Sequence, residues 1–136
     1  MIEFKDLTKK FPGGKIAVDS LNLTFNDGEF IVFIGTSGSG KTTSMRMINR
    51  MIEPSSGEIL IDGKNIKDMN AVELRRRIGY VIQQIGLMPH MTIFENIAMV
   101  PKLLKWPVEK QRKIAEELIQ KVDLPLDFLE RYPSEL

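Results

Sequence analysis

Eight consecutive residues, Gly35-Thr36-Ser37-Gly38-Ser39-Gly40-Lys41-Thr42, have the types and spacing to hold a phosphate chain. They match G-x-x-x-x-G-K-[ST] at every fixed position. Glycines let a backbone fold tightly enough that successive N–H groups converge on one anion, and a helix N-terminus adds favourable partial positive charge. Lys41 can reach the β- and γ-phosphates as a point charge. Thr42 can place its hydroxyl on Mg2+, a hard ion that takes phosphate oxygens and water as further ligands. The pattern therefore points to a nucleoside triphosphate. A guanine reader of the Asn-Lys-x-Asp kind has only a mis-spaced counterpart in Asn65-Ile66-Lys67-Asp68, so adenine is the preferred base.

The elements around this loop must place it. Phe30-Ile31-Val32-Phe33-Ile34 is a continuous apolar run of the kind found in strands buried on both faces of a parallel sheet. It leads into the loop, and a helix is expected from about Lys41 to Arg50. Upstream, Leu21, Leu23 and Phe25 alternate with Asn22 and Thr24 and end at the Asn26-Asp27-Gly28 turn, a strand pattern. Downstream, Glu58 to Ile61 reads as a short strand closed by Asp62-Gly63. Asn70 with Glu73 marks a helix start running into Arg75-Arg76-Arg77, and Ile78 to Ile82 reads as a second buried strand. Thr92 with Glu95 forms another capping box. Pro107 suits the first turn of a helix reaching about Val122, with Ile114, Ala115, Leu118, Ile119 and Val122 on its apolar face. Asp127 to Arg131 suggests one more short helix.

Several residues that could be mistaken for chemistry have plainer readings. Ile59-Leu60-Ile61-Asp62 imitates a metal-binding strand end, but Gly63 follows Asp62 and makes the pair a hairpin corner. His90 is the only histidine and has no catalytic partner at useful spacing. Arg75 to Arg77 reads as a solvated helix end, and Met45, Met47 and Met51 as packing behind the loop.

The chain of 136 residues has 19 Lys+Arg against 18 Asp+Glu, a net charge of +1, and no cysteine. No basic field for nucleic acid is present, and disulfide scaffolds, thiolate metal sites and thiol nucleophiles are excluded. The charged N-terminus lacks the apolar core of a signal peptide. The longest uncharged run, Gly79 to Phe94, contains Gln83, Gln84, Pro89 and His90 and is too short and polar to span a bilayer. Membrane association would have to come through a partner.

Phe11, the loop at Gly35 to Thr42, Glu53-Pro54-Ser55-Ser56-Gly57-Glu58-Ile59, Ile78-Gly79-Tyr80-Val81-Ile82-Gln83-Gln84 and Met88-Pro89-His90-Met91-Thr92-Ile93-Phe94-Glu95-Asn96-Ile97 occur in the order seen in ATP-binding cassette (ABC) transporter ATPases. The resemblance covers essentially the whole chain. Through Val81-Ile82-Gln83-Gln84-Ile85-Gly86-Leu87-Met88-Pro89-His90 it most resembles the ATPase subunits of importers for glycine betaine, carnitine and choline. It implies an α/β fold of the P-loop NTPase type, a RecA-like core with an antiparallel β-subdomain. Residues 1–87 would form the nucleotide-binding core, and 88–136 the start of a helical subdomain. It implies ATP and Mg2+ as ligands. Phe11 would stack on adenine, and Gly35, Thr36, Ser37, Gly38, Ser39, Gly40, Lys41, Thr42 and Thr43 would hold the phosphates. Thr42 and Gln83 would hold the metal, and Lys41 and Gln83 would serve the hydrolysis, with Gln84 the adjacent competitor.

The same resemblance implies partners. A second ATP-binding subunit would complete a sandwich of two ATP molecules, and transmembrane permease subunits would hold the pair on the cytoplasmic face of the membrane. A substrate-binding protein would act indirectly, and no nucleic acid is involved. The Leu-Ser-Gly-Gly-x-Gln signature, the metal-binding strand with its catalytic Glu, and the switch His are not found here. The chain is therefore expected to be the N-terminal part of such a subunit, truncated in the helical subdomain, able to bind ATP but not to turn it over. Two other readings stand beside this one: an ABC ATPase without a transport role, and a nucleotide-binding module that does not hydrolyse.

Overall fold

A computed structural model describes residues 1–82 and 86–136. Gln83 and Gln84, the two candidate loop glutamines, lie outside the described residues. The chain divides into two compact units, Met1–Gly79 and Tyr80–Leu136.

In the first unit, strands β1 (Ile2–Lys10), β2 (Ile16–Phe25), β3 (Ser56–Ile61) and β4 (Lys64–Asn65) form one sheet in the order β2-β1-β3-β4, every neighbour antiparallel. Strict alternation would send Phe4 and Leu7 to opposite faces. Both are nonetheless buried, because the β1–β2 register shifts between them and Asp6 takes a left-handed φ of 48°. Asn22 holds this bulge: its side-chain carbonyl accepts from the Asp6 N–H at 2.9 Å and its amide donates to the Asp6 carboxylate at 2.8 Å. Asp62 and Gly63, at φ 51° and 74°, make the two-residue turn between β3 and β4, as their pairing in sequence predicts.

Helices α1 (Lys41–Ile48) and α2 (Ala71–Arg77) belong to this unit. Asn70 caps α2 by accepting from the Val72 and Glu73 N–H groups. The core joins Phe4, Leu7 and Val18 of the first two strands to Ile59, Met47 of α1, Ile66 and Leu74 of α2. Of the three methionines expected to pack behind the loop only Met47 is buried. Met45 is exposed because it stands on the side of α1 opposite Met47, about 200° round the helix, and Met51 is exposed because it lies beyond the end of α1 at Ile48. The arginine cluster is also less free than its sequence suggests. Arg75 donates from Nε to the Asn49 carbonyl at 3.1 Å and from Nη2 to the Arg50 carbonyl at 2.7 Å, satisfying groups at the end of α1.

The apolar runs at 30–34 and 78–82 differ from expectation. Neither forms a strand among the described residues. Phe30 is 93% exposed, Ile34 92% and Val81 94%. A doubly buried strand needs a hydrogen-bonded neighbour and two covering layers, and the four antiparallel strands supply neither to these runs. Phe33 meets the Phe25 ring edge-on at 6.0 Å, and Ile78 packs against the core of the first unit.

In the second unit, α3 (Ile93–Leu103) and α4 (Val108–Lys121) pack with a 3-10 turn, Leu126–Glu130, around Ile93, Ala115, Ile119 and Leu129. Thr92 and Glu95 form the reciprocal capping box on α3. Pro107 stands at the N-cap of α4 rather than inside its first turn. On the expected apolar face of α4, Ala115 and Ile119 are buried while Leu118 and Val122 are exposed.

Candidate functional site

The loop between residue 35 and α1 closes on itself. The Ser39 N–H donates to the Thr36 carbonyl at 3.3 Å, and the Ser44 N–H donates to the Gly40 carbonyl at 2.8 Å to begin the helix. Lys41 reaches back across this turn. Its ammonium donates to the Gly35 carbonyl at 2.9 Å, the Thr36 carbonyl at 2.8 Å and the Ser39 hydroxyl at 3.2 Å. An ammonium has three donors, and all three are met by the loop, so the charge is held at its mouth. A phosphate oxygen arriving there would exchange for one of these acceptors.

Gly40 is the N-cap of α1 at φ 91°, and no side chain caps the helix. The first turn carries no acidic residue. Its leading N–H groups therefore keep donor capacity for an anion, with the helix dipole and Lys41 acting in the same direction. A side chain at residue 40 would have no room: a β-carbon there would lie 2.2 Å from the Ala17 carbonyl oxygen. Glycine at this position lets the helix entrance rest directly on the backbone of β2.

That contact builds a cleft. Phe11, Pro12, Lys15 and Ala17 form one wall, and Gly38, Ser39, Gly40, Lys41, Thr42 and Thr43 the other, around a volume of about 270 Å³. The tight turn after β1 shapes the first wall. The Phe11 N–H donates to the Lys15 carbonyl at 2.8 Å and the Gly14 N–H donates to the Phe11 carbonyl at 3.1 Å. Phe11 is only half-buried and shares the cleft with the phosphate-type loop, so its ring is open to a flat ligand. A second cleft of about 310 Å³ lies on the other side of Gly40 and Lys41, walled by Leu21, Leu23, Phe33 and Ile34. Its lining includes Asp19, a carboxylate that the first cleft lacks, and it suits an anion less.

The candidate residues Phe11, Gly38, Ser39, Gly40, Lys41, Thr42 and Thr43 are thus brought together. Gly35 and Thr36 stand behind them as acceptors for Lys41, and Ser37 sits exposed on the loop. Gln83 lies outside the described residues. His90 is exposed. Sequence reading overlooked Lys15, whose only signal was Pro12-Gly13-Gly14, a turn that returns the chain beside Phe11. Thr42 is exposed and offers a hard hydroxyl oxygen, the atom type that Mg2+ accepts beside phosphate and water.

Comparison with known proteins extends the picture. Residues 18–136 match the sequence profile of the ABC transporter family. Over all of its 136 residues the chain is 60% identical to the glycine betaine/carnitine/choline transport ATP-binding protein OpuCA of Bacillus subtilis (strain 168), of which it covers 36%. It is 61% identical to the carnitine transport ATP-binding protein OpuCA of Listeria monocytogenes, covering 34%. The dimeric post-hydrolysis state of the ATP-binding cassette MJ0796 bound to ADP and Pi matches with a TM-score of 0.85 at 34% identity. That match takes in 100% of this chain and 63% of the other. The chain therefore spans about a third of the length of the curated relatives it matches.

Proposed function

The chain belongs to the ABC transporter family, and from that premise we propose that its cleft binds Mg·ATP and that the protein it represents energises osmoprotectant uptake. The observation that carries the reading is the union, in one cleft without a carboxylate, of the Phe11 ring, Lys41 and the uncapped first turn of α1. Phe11 stacks on adenine, and the loop N–H groups from Gly38 to Thr43 cradle the phosphates. Lys41 releases part of its grip on the loop to take the β- and γ-phosphate oxygens.

Mg2+, when bound, neutralises charge on the phosphate oxygens. Thr42 holds it through its hydroxyl, with Gln83 as the second residue in the family's pattern. Lys41 and Gln83 then serve hydrolysis in the whole protein. Identity of 60% to a glycine betaine/carnitine/choline transport ATP-binding protein supports a quaternary-ammonium cargo. The partners in this reading are a second copy across the nucleotide, transmembrane permease subunits, and a substrate-binding protein reached through them. The location is the cytoplasmic face of the membrane. No helix among the described residues is long and apolar enough to cross one. These 136 residues contain the phosphate cradle but no Leu-Ser-Gly-Gly-x-Gln string, and by themselves they bind ATP without turning it over.

Titration calorimetry with Mg·ATP tests this. Saturable binding that disappears in Lys41→Ala is expected. A folded wild-type chain that takes up no Mg·ATP, or a Lys41→Ala chain that binds as well as wild type, would refute the assignment.

A further inference from the structure

We infer that Lys15 is a second phosphate-binding cation of this cleft, directed at the phosphate nearest the nucleoside; the inference rests on the nucleotide reading above. The cleft's lining holds two lysines, Lys15 and Lys41, and no acid. A surface this one-sided in charge favours a ligand carrying more than one negative charge along its length. The two lysines stand at different places in it. Lys41 belongs to the loop, with its ammonium engaged by Gly35, Thr36 and Ser39. Lys15 belongs to the base platform, because its carbonyl accepts the Phe11 N–H at 2.8 Å and so fixes its backbone beside that ring. Gly13 and Gly14, at φ 90° and 82°, make the reversal that puts it there.

Of the two lysines that immediately precede Phe11 in the chain, neither lines the cleft, and Lys9 is committed elsewhere. It donates to the Glu53 carbonyl at 2.7 Å, lies 5.3 Å from the Phe11 ring centroid and does not line the cleft. Among the described residues, no carboxylate forms an ion pair with Lys15. Its side chain is exposed on a flexible four-carbon stem, free to meet an anion between ring and loop. A ligand whose base rests on Phe11 and whose terminal phosphates rest on the loop presents its innermost phosphate along this wall.

The test is titration of the chain in Mg2+ with ATP, ADP and adenosine, comparing wild type with Lys15→Ala, Lys15→Arg and Lys41→Ala. Lys15→Ala should weaken ATP and ADP alike by about fivefold, the upper range for a solvent-exposed charge pair, and leave adenosine unchanged. Lys15→Arg should restore both nucleotides, and the gap should narrow as salt rises. Unchanged ATP affinity in Lys15→Ala, with binding still lost in Lys41→Ala, would overturn the inference and leave the nucleotide reading standing. Equal weakening of adenosine and ATP would overturn it differently, showing that residue 15 acts only through the Phe11 platform. A Lys41→Ala chain that keeps full affinity would remove the nucleotide reading itself. Thermal melts of each variant identify any loss that comes from unfolding.

Discussion

Gly40→Ala should destabilise the first unit far more than Gly38→Ala, although the two glycines lie two residues apart in the same loop. Both have left-handed backbones, at φ 91° and 83°, so both substitutions carry the strain of an L-residue in that region, about 1–2 kcal/mol. Their surroundings differ. A β-carbon on Gly38 meets nothing within 4 Å, whereas on Gly40 it falls 2.2 Å from the Ala17 carbonyl oxygen and 3.2 Å from Cγ2 of Val18. The first contact is more than an ångström inside van der Waals distance. Ala17 cannot simply retreat, because β2 is tied into its ladder with β1 and Val18 is part of the core. The helix entrance has to move instead, adding roughly 1–3 kcal/mol of overpacking to the backbone strain. Equilibrium urea unfolding reads the difference directly. With slopes of roughly 1–3 kcal/mol per molar, the two midpoints should separate by on the order of 1 M, Gly40→Ala the lower. Equal midpoints would show that the loop does not rest on β2 and would remove the physical basis given for that glycine.

Two further perturbations report on other parts of the chain. Leu129 is fully buried with Ile93, Ala115 and Ile119, so Leu129→Ala should cost about 3 kcal/mol; hydrogen exchange should show the lost protection in α3 and α4, and protection lost equally in β1 to β3 would contradict the division into two units. Glu29 accepts from the Asn26 side-chain amide at 2.9 Å and the Asn26 backbone N–H at 2.7 Å, and these bonds hold its carboxyl below the ordinary glutamate value of 4.5. A carboxyl lowered in the folded state contributes stability that is complete above its unfolded value and is lost as pH falls through the folded one. The stability advantage of wild type over Glu29→Gln should therefore shrink as pH drops below 4.5, and an advantage that grows on acidification would be the wrong sign.

Features settled within one turn of chain were legible in advance. The caps at Asn70 and at Thr92 with Glu95, the Asp62-Gly63 corner, and the strand from Leu21 to Phe25 all rest on hydrogen bonds or alternation spanning a few residues. So do the turn at Gly35 to Thr42 and the start of α1 at Lys41, which rest on bonds within the loop itself. Burial was less legible. Phe30 to Ile34 has the composition of a central strand, yet an apolar run acquires two covered faces only if other elements arrive to cover them. The same reason separates Met47, which meets the sheet, from Met45 and Met51, which do not. It also explains Arg75, whose fate as a cap on the end of α1 depends on a backbone 25 and 26 residues away.

The amino-acid sequence by itself determined the phosphate-type loop, its family and the local turns, because those depend on residue type and short spacing. Only the tertiary structure decided that Phe11 and Lys15 share a cleft with Lys41, since their meeting requires the turn at residues 11 to 15 and the contact of Gly40 with Ala17. A motif can specify which groups will bind a phosphate; the packing of one strand against one helix entrance specifies which other residues stand close enough to join them.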